Sequence, residues 1–66
     1  MEHFNYYYVV VIATLKDGHN ATVALNCRLE YELDTAENIE RLKSNIIDEY
    51  DYSNAVITNI IPLKGL

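Results

Sequence analysis

One cysteine, one proline and two glycines are all that 66 residues contain of these types. A lone thiol, Cys27, excludes an internal disulfide. With only His3 and His19 beside it, at no ligand spacing, it cannot supply the four Cys or His ligands that a structural zinc needs. Two glycines leave no phosphate-cradling loop, and no Ser–His–acid pattern appears. Bases are scarce as well: five Lys and Arg stand against ten Asp and Glu, a formal charge of −5. Nucleic-acid binding calls for a basic stripe, as does attachment to an anionic membrane surface, and this chain has the reverse. The main apolar run, Tyr6 to Leu15, falls far short of the roughly 20 residues of a membrane helix, and no basic stretch precedes it. One cysteine and no leader pattern together predict a cytoplasmic protein. In that setting the sequon Asn20-Ala21-Thr22 is a chance match.

What is present is periodicity. Tyr6 to Leu15 is aromatic and β-branched, a strong strand. Lys16-Asp17-Gly18-His19 follows, and Asp-Gly between two strand-like runs predicts a hairpin with a two-residue type I′ turn. Thr22 to Tyr31 alternates, with Val23, Leu25, Cys27, Leu29 and Tyr31 on one side. Pairing Lys16 with His19 sets Ile12 opposite Val23, Val10 opposite Leu25, Tyr8 opposite Cys27 and Tyr6 opposite Leu29. A helix is predicted over 35–50, with Asp34 as N-cap and Glu37 closing a capping box. Ala36, Ile39, Leu42, Ile46, Ile47 and Tyr50 form its apolar stripe, and Glu37 and Arg41 an i, i+4 pair. The third strand spans 55–61, and Pro62 ends it or marks it as an edge. The reading is a single α+β domain over residues 1–66: ββαβ, three antiparallel strands in the order 2-1-3, one helix on one face.

One helix covers one side of a sheet. The two-residue turn places Tyr7, Val9, Val11 and Ala13 on the other side, joined by either Val56 and Ile60 or Ile57 and Ile61 of the third strand. By the same parity Tyr6 and Tyr8 belong to the core; Tyr7 and Tyr31 are expected to be half-exposed. A chain this short buries only about 60% of its unfolded surface, so self-association is its expected stabiliser, with Tyr7, Val9 and Val11 as the interface of a homodimer.

Charge gives a second surface. Met1 to Arg28 is balanced, whereas Glu30 to Asp51 holds eight acids against Arg41 and Lys43. Asp48, Glu49 and Asp51 crowd the helix C-terminus, where the macrodipole favours cations, with Tyr50 and Tyr52 interleaved. This is the candidate contact for a basic protein partner, with Glu30 and Glu32 extending the acidic surface at the other helix end. Catalysis has little to stand on. Cys27 faces the predicted core and both histidines lie outside it. The expectation is a protein-binding module that is not an enzyme and uses no cofactor or metal. The alternative is a small homodimeric structural or regulatory protein that works through its open sheet face.

The order of these features, from the Tyr- and Val-rich first strand through "AENIERLKSNIIDEY" to "NAVITNIIPL", resembles small ββαβ proteins of low-GC Gram-positive bacteria and their phages. Strand 2 departs from a Phe-Gly-Asn-like element common in them, reading Val23-Ala24-Leu25-Asn26-Cys27. The layout is also similar to the short uracil-DNA glycosylase inhibitors of phi29-like phages, which are acidic dimeric DNA mimics. That resemblance implies a phage- or prophage-encoded inhibitor, DNA mimic or anti-CRISPR-like, of a host nucleic-acid-processing protein.

Overall fold

Three runs rich in Val, Ile, Tyr and Thr make three ten-residue strands in the computed structural model, which describes residues 4–64. They are β1 (Asn5–Thr14), β2 (Asn20–Leu29) and β3 (Asn54–Leu63), and α1 (Ala36–Tyr50) joins β2 to β3. The sheet is antiparallel in the order β2-β1-β3, the α+β architecture expected from the pattern. His3 lies outside the described residues.

The register differs from expectation by one residue. Leu15 N–H donates to His19 O at 2.7 Å, and Gly18 N–H donates to Leu15 O at 2.9 Å. The loop is therefore Lys16-Asp17-Gly18, with Gly18 at φ +92, the three-residue hairpin that ends on a left-handed glycine. An Asp17 oxygen accepts from the His19 backbone N–H at 3.0 Å and helps hold that shape. Tyr7 now lies opposite Cys27, Val9 opposite Leu25 and Val11 opposite Val23. The inward side of β2 is as anticipated, but β1 turns over.

This corrects the assignment of the open face. Val9, Val11, Ala13 and Ala55 are fully buried, and Tyr7 is nearly so. All but Ala13 pack with Leu42 and Ile46 of α1 in one cluster. The Tyr7 hydroxyl also accepts the Leu33 backbone N–H at 3.1 Å, tying the β2–α1 connection to the central strand. Tyr7, Val9 and Val11 are thus the floor beneath the helix and not a docking surface. Tyr8, expected in the core, is exposed instead.

Neither expected pair of the third strand, Val56 with Ile60 or Ile57 with Ile61, shares the open face, because β3 carries an extra residue between them. Ile57 pairs with Val11 and Asn59 with Val10, so Thr58 is an extra residue, a β-bulge. The Thr58 hydroxyl donates to Val10 O at 3.2 Å. With Thr58 set aside the alternation is regular: Ala55, Ile57 and Ile60 point inward, Val56 and Ile61 outward. Pro62 sits inside β3 on its outer edge, where its missing N–H leaves no ladder bond unmade.

The helix begins one residue later than expected. Thr35, not Asp34, is the N-cap; its hydroxyl accepts the Asn38 N–H at 3.1 Å, and the Asn38 side chain donates back to Glu32 O at 2.8 Å. At the far end Asp51 takes φ 57, and the Tyr52 N–H reaches Ile47 O at 3.1 Å, a Schellman closure without glycine. Ser53 then fastens the exit turn to Thr14 and Leu15 carbonyls. Arg41 makes no ion pair with Glu37; its guanidinium lies 4.1 Å from the Tyr31 ring centre. Among the described residues no helix is long and apolar enough to cross a membrane.

Candidate functional site

The strands carry almost no charge. Every acid of the described residues lies outside them: Asp17 in the hairpin loop, Glu30, Glu32 and Asp34 before the helix, and Glu37, Glu40, Asp48, Glu49 and Asp51 in or just after it. Arg28 is the one ionised side chain within the three strands. Charge and apolar surface are therefore sorted onto different layers of the molecule, the acids with the helix and its connections, the neutral residues with the sheet.

At the helix C-terminus Asp48, Glu49, Tyr50 and Asp51 are exposed and Tyr52 is half-buried. The Tyr50 and Tyr52 rings stack with centroids 5.7 Å apart, which fixes two flat polar-tipped surfaces side by side. No base occupies the last helical turn, so within the helix itself nothing offsets the acids that oppose the macrodipole. Two of the acids diverge. Glu49 lines a groove between α1 and β2, while Asp51 reaches Lys16 of the hairpin loop at 3.6 Å. That ion pair is exposed on both sides and contributes little to stability. Glu30 and Glu32 sit at the opposite end of a 15-residue helix, about 22 Å away, and form a separate patch.

The groove exists because α1 lies over β1 and β3 and leaves the inward side of β2 half-covered. It holds about 230 Å³ between Leu25, Cys27, Leu29, Leu42, Ile46 and Glu49. Burial pushes the Cys27 thiol up, and the Glu49 carboxylate adds to the shift. Both effects disfavour the thiolate, the opposite of what a nucleophilic cysteine needs. His19 is engaged elsewhere, its Nδ1 2.8 Å from Asp17. The same contact, with the backbone bond, holds the Asp17 carboxyl below the usual carboxylate range. No group of three His, Cys, Asp or Glu side chains among the described residues could hold a metal ion.

The uncovered side of the sheet bears the β1 residues that the expected register places in the core, together with residues of β3. Tyr8, Ile12, Val56, Ile61 and Leu63 are five of the six large apolar side chains exposed among the described residues; Tyr50 is the sixth. The alternation of β2 located this face correctly on its own strand, placing Thr22, Asn26 and Arg28 there. The unbroken apolar sequence of β1 carried no such signal. No family model, curated protein or solved structure matches the chain.

Proposed function

We propose that this chain is a non-enzymatic, cytoplasmic protein-binding module whose acidic, tyrosine-bearing helix end docks on a basic surface of a nucleic-acid-processing protein. The observation that carries this reading is the sorting of charge. A helix that ends on Asp48, Glu49 and Asp51, with no base in its last turn and an adjoining stacked tyrosine pair, gives up helix stability for a negative, aromatic surface. Carboxylates spaced along such a surface compete for the Lys and Arg side chains that otherwise neutralise phosphates. Stacked tyrosines add rigid contact area at low entropy cost. The module then acts as an inhibitor by occupancy, in the manner of a phage- or prophage-encoded DNA mimic or anti-CRISPR protein, and no step of that action needs a cofactor.

The test uses the immobilised chain and the heparin-binding proteins of a low-GC Gram-positive lysate. Capture is expected to fall with rising salt and to be displaced by double-stranded DNA. Changing Asp48, Glu49 and Asp51 together to Ser is expected to slow association about tenfold or more at low salt. Capture that ignores both salt and the triple change would overturn the reading.

A further inference from the structure

The bare side of the sheet is a separate surface from the acidic helix end, and its shape and charge select a different occupant. Tyr8, Val10 and Ile12 of β1 lie beside Val56, Ile61 and Leu63 of β3, an apolar area interrupted on β3 by the exposed Thr58 and Asn59 at the level of Val10. The third strand on this face is polar: Thr22, Ala24, Asn26 and Arg28 of β2 stand opposite Ile12, Val10, Tyr8 and Tyr6. Arg28 is already placed, its guanidinium 4.7 Å from the Phe4 ring centre. Among the described residues the three strands hold no acid, although the chain carries a net −5.

We propose that this face is the interface of a symmetric homodimer, in which β1 and β3 of one copy pack against β3 and β1 of a second copy. Two arguments choose a second copy over another partner. The first is area. The two apolar strands, rising about 3.3 Å per residue and spaced about 4.8 Å apart, make a face of roughly 33 by 10 Å. Once side-chain relief and the partly covered rim are counted, two such faces bury about 800–1,000 Å² together, the size of a weak, reversible interface. The second is charge. Two copies that each carry −5 repel through every surface that bears acids and can meet closely only through one that bears none. This face bears no acid among the described strand residues, and its one ionised group, Arg28, sits at the rim.

The off-centre apolar area sets the geometry. A twofold axis passing near Val10 superposes the apolar halves and leaves Thr22, Asn26 and Arg28 on a wet rim, as interfaces of this kind require. The sheets stack about 10 Å apart with strands within about 30° of each other. Each helix is then turned outward, and the two acidic layers face opposite sides of the dimer.

The test is the mass of the full chain in solution, by sedimentation equilibrium over about 1–200 µM, a span suited to an interface of this size. Wild type is expected at twice 7.6 kDa. Ile12→Lys and Val56→Lys, each at an already exposed position, are expected to weaken association by about 100-fold or more. Thr22→Lys on the polar rim is expected to change it less than about threefold. A wild-type monomer throughout the range overturns the proposal, as does a dimer that survives both core lysines or is lost only with Thr22→Lys. Where a lysine variant does not fold, a mixed sample of isotope-labelled and unlabelled wild type decides. Intermolecular contacts at the Ile12, Val56 and Ile61 methyls support the proposal, and contacts confined to α1 or the β2 edge overturn it. Neither result bears on capture by the acidic helix end, so this proposal and the proposed function fail separately.

Discussion

Val11 and Ile12 are neighbours on one strand and differ by a single methylene, yet Val11 is 0% exposed and Ile12 41%. The same contrast runs along β1: Tyr7 against Tyr8, Val9 against Val10. Both sides of the strand would serve equally well as core. Side-chain chemistry therefore did not choose between them; the hairpin loop did. A three-residue loop pairs Val11 with Val23, whose strand has only one apolar side, and that pairing carries Val11 under the helix. A two-residue loop would have carried Ile12 there. The roofed face and the bare face are in this sense interchangeable in sequence and made unlike by one backbone choice.

The sharpest way to break that comparison is to charge each side in turn. Val11→Asp puts an unpaired carboxylate beneath α1, a cost of several kcal/mol against a total stability of about 3–5 kcal/mol for a domain this small. The variant is expected to be unfolded by circular dichroism at 25 °C. Ile12→Asp, one residue on, is expected to keep its helix signal and a cooperative melt. If the two behave alike, the assignment of faces fails. Next comes the loop that makes the choice. Gly18→Ala meets nothing within 4 Å, so its cost comes from φ +92 alone, about 1 kcal/mol, read as a lower urea midpoint with an unchanged slope.

A third change sharpens the contrast from the side of the roof. Asp51 closes α1 in a left-handed conformation that glycine adopts more readily, so Asp51→Gly is expected to stabilise by about 0.5–1 kcal/mol. A loss of stability would mean that the Lys16 contact outweighs backbone strain. The smallest effect concerns the same hairpin loop. The Asp17 pKa is lowered by the His19 side-chain and backbone contacts. A depressed carboxylate contributes stability above its unfolded pKa and loses it as pH falls through the folded value. Between neutral pH and pH below about 3.8, wild type should therefore lose slightly more stability than Asp17→Asn. Parallel pH curves for the two proteins would show that the contact contributes nothing.

The legible parts of the molecule were those with only one possible answer. β2 alternates strictly, so its inward set of Val23, Leu25, Cys27 and Leu29 could be read directly. The helix could be read from Leu42, Ile46 and their neighbours, and only its start was one residue out. β1 and β3 resisted for two distinct reasons. In β1 every position from Tyr6 to Ala13 is apolar or aromatic, so there was no pattern to read. In β3 there was a pattern, but Thr58 interrupts it, and an inserted residue makes a regular alternation look like none. The acidic patch was legible as composition. That Glu49 turns into a groove beside Cys27 while Asp51 turns toward Lys16 was not, because the directions follow from where the helix lies on the sheet.

By itself the amino-acid order determined the elements, their sequence along the chain, the antiparallel 2-1-3 arrangement and the separation of acids from strands. These follow from local propensity, turn residues and periodicity, which act over a few neighbours. Only the tertiary structure decided which side of β1 is dry, where β3 bulges, and thus which apolar residues are left facing outward. The first depends on the hairpin register of the Lys16-Asp17-Gly18 loop, the second on the extra residue Thr58. A shift of one residue in the hairpin costs little locally and reverses every side chain of the strand.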